Sequence, residues 1–297
     1  MKPGKAAGWT GLTISWLVIG ARLFMLEQLQ GKTAPLITIA MPVYNAGHYL
    51  RAAVLSMINQ TFTDWELLII DDGSTDEALQ EMTDIRDERI IIFSDGINKG
   101  LAARLNEAID SARGKYLARM DADDIAYPER LDRQIEALRN DPKLDLVATR
   151  AIRIDEDGQF MGLFPYSLSH EEICARPWQG FYFPHPTWMG KTDWFRKHRY
   201  AVPSPYFCED QELLLRSYRQ SRFATVPEIL FAYRVRGKIN PIKQAGTRWS
   251  LFKVQLRYFY KMREWIFGGL SAGVFTARIL SDIYKLFCKL VSNCINL

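Results

Sequence analysis

Between residues 36 and 120 the chain switches repeatedly between two apolar patterns. The runs 36–41, 65–70, 90–93 and 116–120 are short and mostly apolar, as strands buried on both faces are. The stretches 48–60, 77–85 and 101–112 read as helices. In the first of them Leu50, Val54, Leu55 and Ile58 fall at helical spacing. The breaks are marked chemically. Pro42 cannot donate a ladder hydrogen bond and ends the first strand; Ser74 or Thr75 can cap the helix over 77–85; Gly114 closes the helix over 101–112. Strand and helix in repeated alternation predict a parallel sheet with helices on both faces. Ligands of such sheets bind outside the carboxyl ends of the strands. Polar residues collect there: Tyr44 and Asn45, Asp71 and Asp72, Asn98 to Gly100, and Asp121 to Asp124.

The pattern then becomes more mixed. Residues 128–139 read as a helix with proline at an early position, where its missing N–H costs little. A strand is predicted over 144–148. The segments 151–154 and 160–163 flank Asp155-Glu-Asp-Gly158 as a hairpin. Residues 178–194 are rich in aromatics, which suit either a core or a sugar ring. A helix over 211–216 follows Glu209-Asp210 directly.

Composition narrows the compartment more than the fold. The 297 residues are 48% hydrophobic and 24% charged, enough for one large or two modest domains. The four cysteines, Cys174, Cys208, Cys288 and Cys294, show neither paired nor metal-ligand spacing. That pattern fits a reducing compartment and not a disulfide framework. The net charge of +4 is mild. Its placement is not, because the basic residues from Arg234 to Arg263 meet no acid until Glu264, with Trp249, Phe252, Tyr258, Phe259, Tyr260 and Trp265 among them. Residues 238–297 therefore read as a basic amphipathic helical tail suited to a membrane surface. Within it, 266–275 is an apolar stretch too short to span a bilayer. No nucleic-acid motif accompanies the basic run, so no nucleic-acid partner is expected. A helical tail packed on the catalytic domain is the plainer alternative. The first 34 residues form an apolar segment, with Arg22 inside it and Lys2 and Lys5 before it. An interfacial helix, a spanning helix, a secretory signal and a start at Met25 are the candidate readings.

The chemistry centres on Asp121-Ala-Asp-Asp124, at the end of the fourth strand. Carboxylates two apart at a strand end lie on one side of the chain. They repel unless a cation sits between them, and a hard divalent ion, Mn2+ or Mg2+, takes such oxygen ligands. An acidic loop that caps the next helix is the competing reading. The rim carries neither Gly-x-Gly-x-x-Gly nor a Walker-type Gly-Lys-Ser/Thr loop, which disfavours a nicotinamide enzyme or a phosphate-loop ATPase.

Together these pieces resemble the inverting family 2 glycosyltransferases of bacterial cell-surface polysaccharide synthesis. The matching segments are Met41-Pro-Val-Tyr-Asn45, Ser56-Met-Ile-Asn-Gln-Thr61, Trp65 to Asp76, Asn98-Lys-Gly-Leu101 with Arg104 and Asn106, and Asp121-Ala-Asp-Asp124. Pro128-Glu-Arg-Leu131, His185-Pro-Thr187 and Glu209-Asp210 continue the series, in the family's order. The resemblance implies an α/β GT-A fold, with a mostly parallel central sheet, over residues 35–237. It also implies a nucleotide-sugar donor, commonly a uridine diphosphate sugar, and transfer with inversion to a saccharide or lipid-linked acceptor. Carried over, Tyr44 and Pro42 flank the base and Asp72 contacts it. Asp121 lies near the ribose and diphosphate, Asp123 is the direct metal ligand, and Asp210 is the general base. Glu209 and His185 are rivals for that role. Lys99 and Arg104 are candidates for the diphosphate, and Asp71 caps its loop. The implied location is the inner face of the cell membrane. A sugar-nucleotide-forming nucleotidyltransferase and a non-catalytic nucleotide-sugar or lipid-carrier binding protein are the alternatives.

Overall fold

A computed structural model describes residues 33–205, 207–237 and 240–295. The readings of the amino-terminal apolar segment thus lie almost wholly outside the described residues. Nine strands form one sheet: β1 Ile37–Val43, β2 Trp65–Asp71, β3 Ile90–Ser94, β4 Tyr116–Arg119, β5 Ile125–Ala126, β6 Leu146–Ile154, β7 Phe160–Leu163, β8 Met189–Lys191 and β9 Phe223–Arg234. Their order is β3-β2-β1-β4-β8-β6-β9-β5, with β7 hydrogen-bonded to β6. Strands β1 to β4 are parallel to one another. Strand β8 runs antiparallel between β4 and β6, while β6 and β9 are parallel.

Strands β1, β2 and β4 are buried on both faces, which is why they are apolar at nearly every position, while edge strand β3 leaves Ile92 exposed. Successive side chains take opposite faces. Ala40, Leu68, Ile70 and Leu117 pack with α2 (Leu101–Ser111), α5 (Thr192–Lys197) and α6 (Glu209–Ser217). Ile39, Met41, Leu67 and Ile69 pack with α1 (Tyr49–Ile58) and α3 (Arg130–Asn140). Gly114 does more than close a helix: a Cβ there would lie 2.5 Å from the Thr38 nitrogen, so the α2–β4 turn presses directly on β1.

Several expectations are corrected. Residues 77–85 hold only a three-residue turn of 3-10 helix, Gln80–Met82. The would-be caps are engaged elsewhere. Ser74 Oγ accepts the Asn45 N–H, the Thr75 N–H goes to Asn45 Oδ1, and Asp76 accepts the Gly47 N–H at 2.7 Å. The tertiary loop-to-loop bonds displace the local helix. The two segments around 144–154 form one strand, β6, with register shifts against β9 on either side of Arg150; the hairpin with β7 forms as expected.

The tail contains α7 (Pro241–Lys261) and α8 (Trp265–Ile295). Asn240 caps α7, its side chain accepting the Ile242 and Lys243 N–H groups. Phe259 is wholly buried in the core and Gln255 donates to the Pro177 carbonyl. The expectation of an apolar stretch limited to 266–275 is wrong. Helix α8 is 31 residues long, and Trp265–Lys285 is long and apolar enough to cross a membrane by length and composition. Its polar interruptions turn inward: Arg278 donates to the Gln179 carbonyl and Asp282 pairs with Arg248 at 2.6 Å. A short α4 (His170–Cys174) completes the helices of the described residues.

Candidate active site

The carboxyl ends of β1 and β2 are level, Val43 opposite Asp71, so their loops meet above the sheet. Pro42 lies within β1, and Tyr44 follows it with its ring half exposed (54%). Asp71 caps its own loop, accepting the Ser74 N–H and the Ser94 hydroxyl. Asp72 is buried. Its carboxylate accepts the Lys99 and Gly100 N–H groups and the Arg104 Nε–H at 2.7–3.1 Å.

Arg104 lies beneath this loop and has no exposed surface. Its remaining N–H groups go to Asp95, Glu107 and the Ile97 carbonyl, so all five are engaged. Lys99 bridges Asp95 (2.6 Å) and Glu107 (2.7 Å). Burial works against the charge on Asp95, but hydrogen bonds from Arg104 and Lys99 outweigh it and hold that carboxyl near about 2. The structure therefore places Arg104 under the site as the support of Asp72, and among the described residues two of the three Lys99 N–H groups are engaged.

Strand β4 ends in the acidic cluster. Oxygens of Asp121, Asp123 and Asp124 come within 4.8 Å of one another. Asp124 is fully buried. One oxygen accepts the Arg234 N–H at 2.7 Å, and the other has no hydrogen-bond partner among the described residues. Burial, then the charges of Asp121 and Asp123, push the Asp124 carboxyl well up; burial and Asp121 also raise Asp123. A set of crowded oxygens with one buried lone pair unanswered fits a hard divalent cation.

Facing the cluster is a cleft of about 450 Å³. Arg119, Asp121, His185, Glu209, Asp210 and Tyr233 line it. Arg119 pairs with Asp121 at 2.6 Å, while its Nε and Nη1 are buried with no partner among the described residues. Glu209 and Asp210 open α6, where the helix dipole favours negative charge. Burial raises both carboxyls above their ordinary range; Asp210 adds to the rise at Glu209, and Arg119 opposes it at both. Gln211 fixes Asp210 against the cleft wall. Its Nε2 donates to Asp210 at 3.2 Å and to the Phe181 carbonyl, and its Oε1 accepts the Phe181 N–H. His185 sits deeper, its Nε2 2.7 Å from the Tyr200 hydroxyl. Burial and the Arg119 charge keep this imidazole well below its ordinary range, hence neutral.

The loop and the turn behind it share one support. Buried Arg130 donates to the carbonyls of Arg119 (2.6 Å) and Pro186 (3.2 Å), and Gln134 donates to that of Thr187. The segments Pro128-Glu-Arg-Leu131 and His185-Pro-Thr187 are thereby tied together.

The family model described as "Glycosyl transferase family 2" matches residues 38–199. The chain belongs to this family. The O-antigen biosynthesis glycosyltransferase WbnJ of Escherichia coli is 31% identical over 262 residues, 86% of this chain and 96% of that protein. Among solved structures, Staphylococcus aureus TarS 1–349 with UDP superposes with a TM-score of 0.58 at 18% identity, covering 74% of this chain and 65% of that one. The mannosyltransferase PcManGT of Pyrobaculum calidifontis, with GDP-Man and Mn2+, gives 0.57 at 15%, covering 94% of this chain and 90% of that one. The fold is GT-A. The chain is thus a glycosyltransferase that uses a nucleotide-sugar donor, and family membership decides against the nucleotidyltransferase and binding-protein alternatives.

Pattern reading of the sequence missed Arg119, Gln211, Tyr200 and Arg130 as contributors to the site. One signal was available, a charged residue inside the apolar run 116–120. Arg119 occupies that position.

Proposed function

We propose that this family 2 glycosyltransferase transfers a sugar, with inversion, to a hydroxyl of a saccharide or lipid-linked saccharide acceptor in surface polysaccharide synthesis. The observation that carries the reading is a single cleft lined on one side by Asp121 and on the other by the Glu209–Asp210 pair. A sugar hydroxyl is a weak acid and needs its proton removed as it attacks. Asp210, raised by burial and steered by Gln211, takes that proton. Attack then comes from the face opposite the leaving nucleotide, in one displacement. His185, neutral and bonded to Tyr200, is a packing and polarity partner in this scheme.

On the donor side Pro42 and Tyr44 border the base and Asp72 receives it. The third N–H of Lys99 is available to the diphosphate. Asp123, with Asp121 and Asp124 beside it, would hold Mn2+ or Mg2+. Such an ion, when bound, supplies positive charge to the departing diphosphate. WbnJ is named for O-antigen biosynthesis, which supports the polysaccharide assignment.

We place the enzyme on the inner face of the cell membrane. Trp249, Leu256 and Tyr260 on α7 and Ile266, Leu270, Leu280 and Tyr284 on α8 are exposed, and Lys253, Arg257, Lys261 and Arg263 flank them. The chain should float with anionic vesicles, and an Ile266→Asp/Leu280→Asp variant should not. Equal recovery of both would contradict the placement.

The experiment for the activity is thermal unfolding against a panel of nucleotide sugars with and without Mn2+. A ligand at about 100 times its Kd stabilises by about 2.7 kcal/mol. One nucleotide sugar should raise the midpoint, and only with Mn2+. A shift that ignores Mn2+ would contradict the metal-assisted reading.

A further inference from the structure

The end of β9 brings two arginines to the acidic cluster, and they are used differently. Arg234 is buried and committed to backbone: its Nε donates to the Asp123 carbonyl and its Nη1 to those of Asp155 and Glu156. Arg236 lies two residues on, with a side chain 41% exposed. Its guanidinium stands 3.6 Å from the Asp123 carboxylate and 3.3 Å from the Asn45 carbonyl, and lies over the Tyr49 ring. It therefore bridges the gap between Asp123 and the turn that carries Tyr44. On the proposed reading, with the base at Tyr44 and the ion on Asp123, the diphosphate lies beside this gap.

A part-exposed ion pair of this length is weak and exchanges readily. A guanidinium is much better matched to phosphate oxygens, which it can bind in pairs. The backbone beyond it is pinned, with the Gly237 N–H on Glu156 Oε1 at 2.7 Å, so the side chain can turn without the loop moving.

We propose that Arg236 is a stand-in cation: it holds Asp123 in the metal-free enzyme, yields that carboxylate to the divalent ion, and then binds the diphosphate of the nucleotide sugar. This rests on the reading of Asp121, Asp123 and Asp124 as the metal site, which has its own support in the partnerless buried oxygen of Asp124. The role predicts effects of opposite sign. Without Arg236 the ion meets one less positive charge and binds more tightly, while the nucleotide loses a contact.

The test uses Mn2+ alone, its bound fraction read from the loss of the free-ion electron paramagnetic resonance signal. Arg236→Gln should bind Mn2+ about fivefold more tightly than the native chain, and Arg236→Lys should match the native chain. At saturating Mn2+, UDP or GDP, whichever the native chain binds, should bind Arg236→Gln about tenfold more weakly. A residue that merely braced the Asn45 turn would weaken both. Mn2+ affinity that is unchanged or lower in Arg236→Gln overturns the proposal and leaves the metal site standing. A native chain that binds no Mn2+ defeats the metal reading and the proposal with it.

Discussion

The two sides of the site are both crowded with charged groups and have opposite states of satisfaction. Around Asp72 every buried charge is answered: Arg104 meets Asp72, Asp95 and Glu107, and Lys99 meets Asp95 and Glu107. Around Asp121 it is not. One Asp124 oxygen and two Arg119 nitrogens are buried without partners among the described residues, and burial pushes Asp123, Asp124, Glu209 and Asp210 upward. A saturated buried network is rigid and inert, whereas a buried group left unpaired is costly and kept for a ligand. In the proposed mechanism the Asp72 side is a prebuilt frame for the nucleotide, and the Asp121 side is where ion, diphosphate and acceptor complete the chemistry.

The comparison breaks most visibly by removing the hub of the frame. Arg104→Met strips the partner from Asp72 and Asp95 and should cost about 3–5 kcal/mol of stability, read from denaturant unfolding. Arg119→Met at the open side should cost less, because two of its nitrogens have no partner to lose. A larger loss at Arg119 would reverse the contrast.

Next in size is the acid sensitivity of the frame. Asp95 is held near about 2 in the folded protein against about 3.9 unfolded. A carboxyl lowered on folding contributes stability that is present above the unfolded value and is lost as pH falls through the folded one. Asp95 should therefore account for about 2–3 kcal/mol at neutral pH. That part disappears between roughly pH 4 and 2. Asp95→Asn should flatten the acid limb of the unfolding curve there; an unchanged limb would show the pair contributes nothing.

The smallest effect sharpens the open side. Burial raises Asp210, and a base must be deprotonated to act. The acid limb of the kcat/KM profile should lie above the ordinary carboxylate range of about 4. Arg119 opposes that rise, so Arg119→Met should move the limb to higher pH. A limb that stays in place would exclude Arg119 as the neighbour that tunes the base.

What could be read from the sequence follows the same division. Strands β1, β2 and β4 and the rim they form were legible because burial on both faces writes a continuous apolar run. Asp121 and Asp210 were legible as motif residues, and they meet in one cleft. The helix expected over 77–85 was not legible as a loop, because its cap candidates are used by Asn45 and Gly47, about 30 residues away in the chain. Arg104 looked like a ligand contact, since nothing local announces that all five of its N–H groups are spent. Helix α8 was underestimated because Arg278 and Asp282 look like interruptions until their inward partners are known.

The most direct test of the account is to separate binding from turnover at Asp210. In Asp210→Asn, nucleotide-sugar binding in the presence of Mn2+, read as the thermal shift, should match the native chain. Sugar transfer should fall by about a hundredfold to ten-thousandfold. Turnover within a few fold of the native rate would contradict the assignment of Asp210 as the base and, with it, the division of the site into a prebuilt frame and an open reacting side.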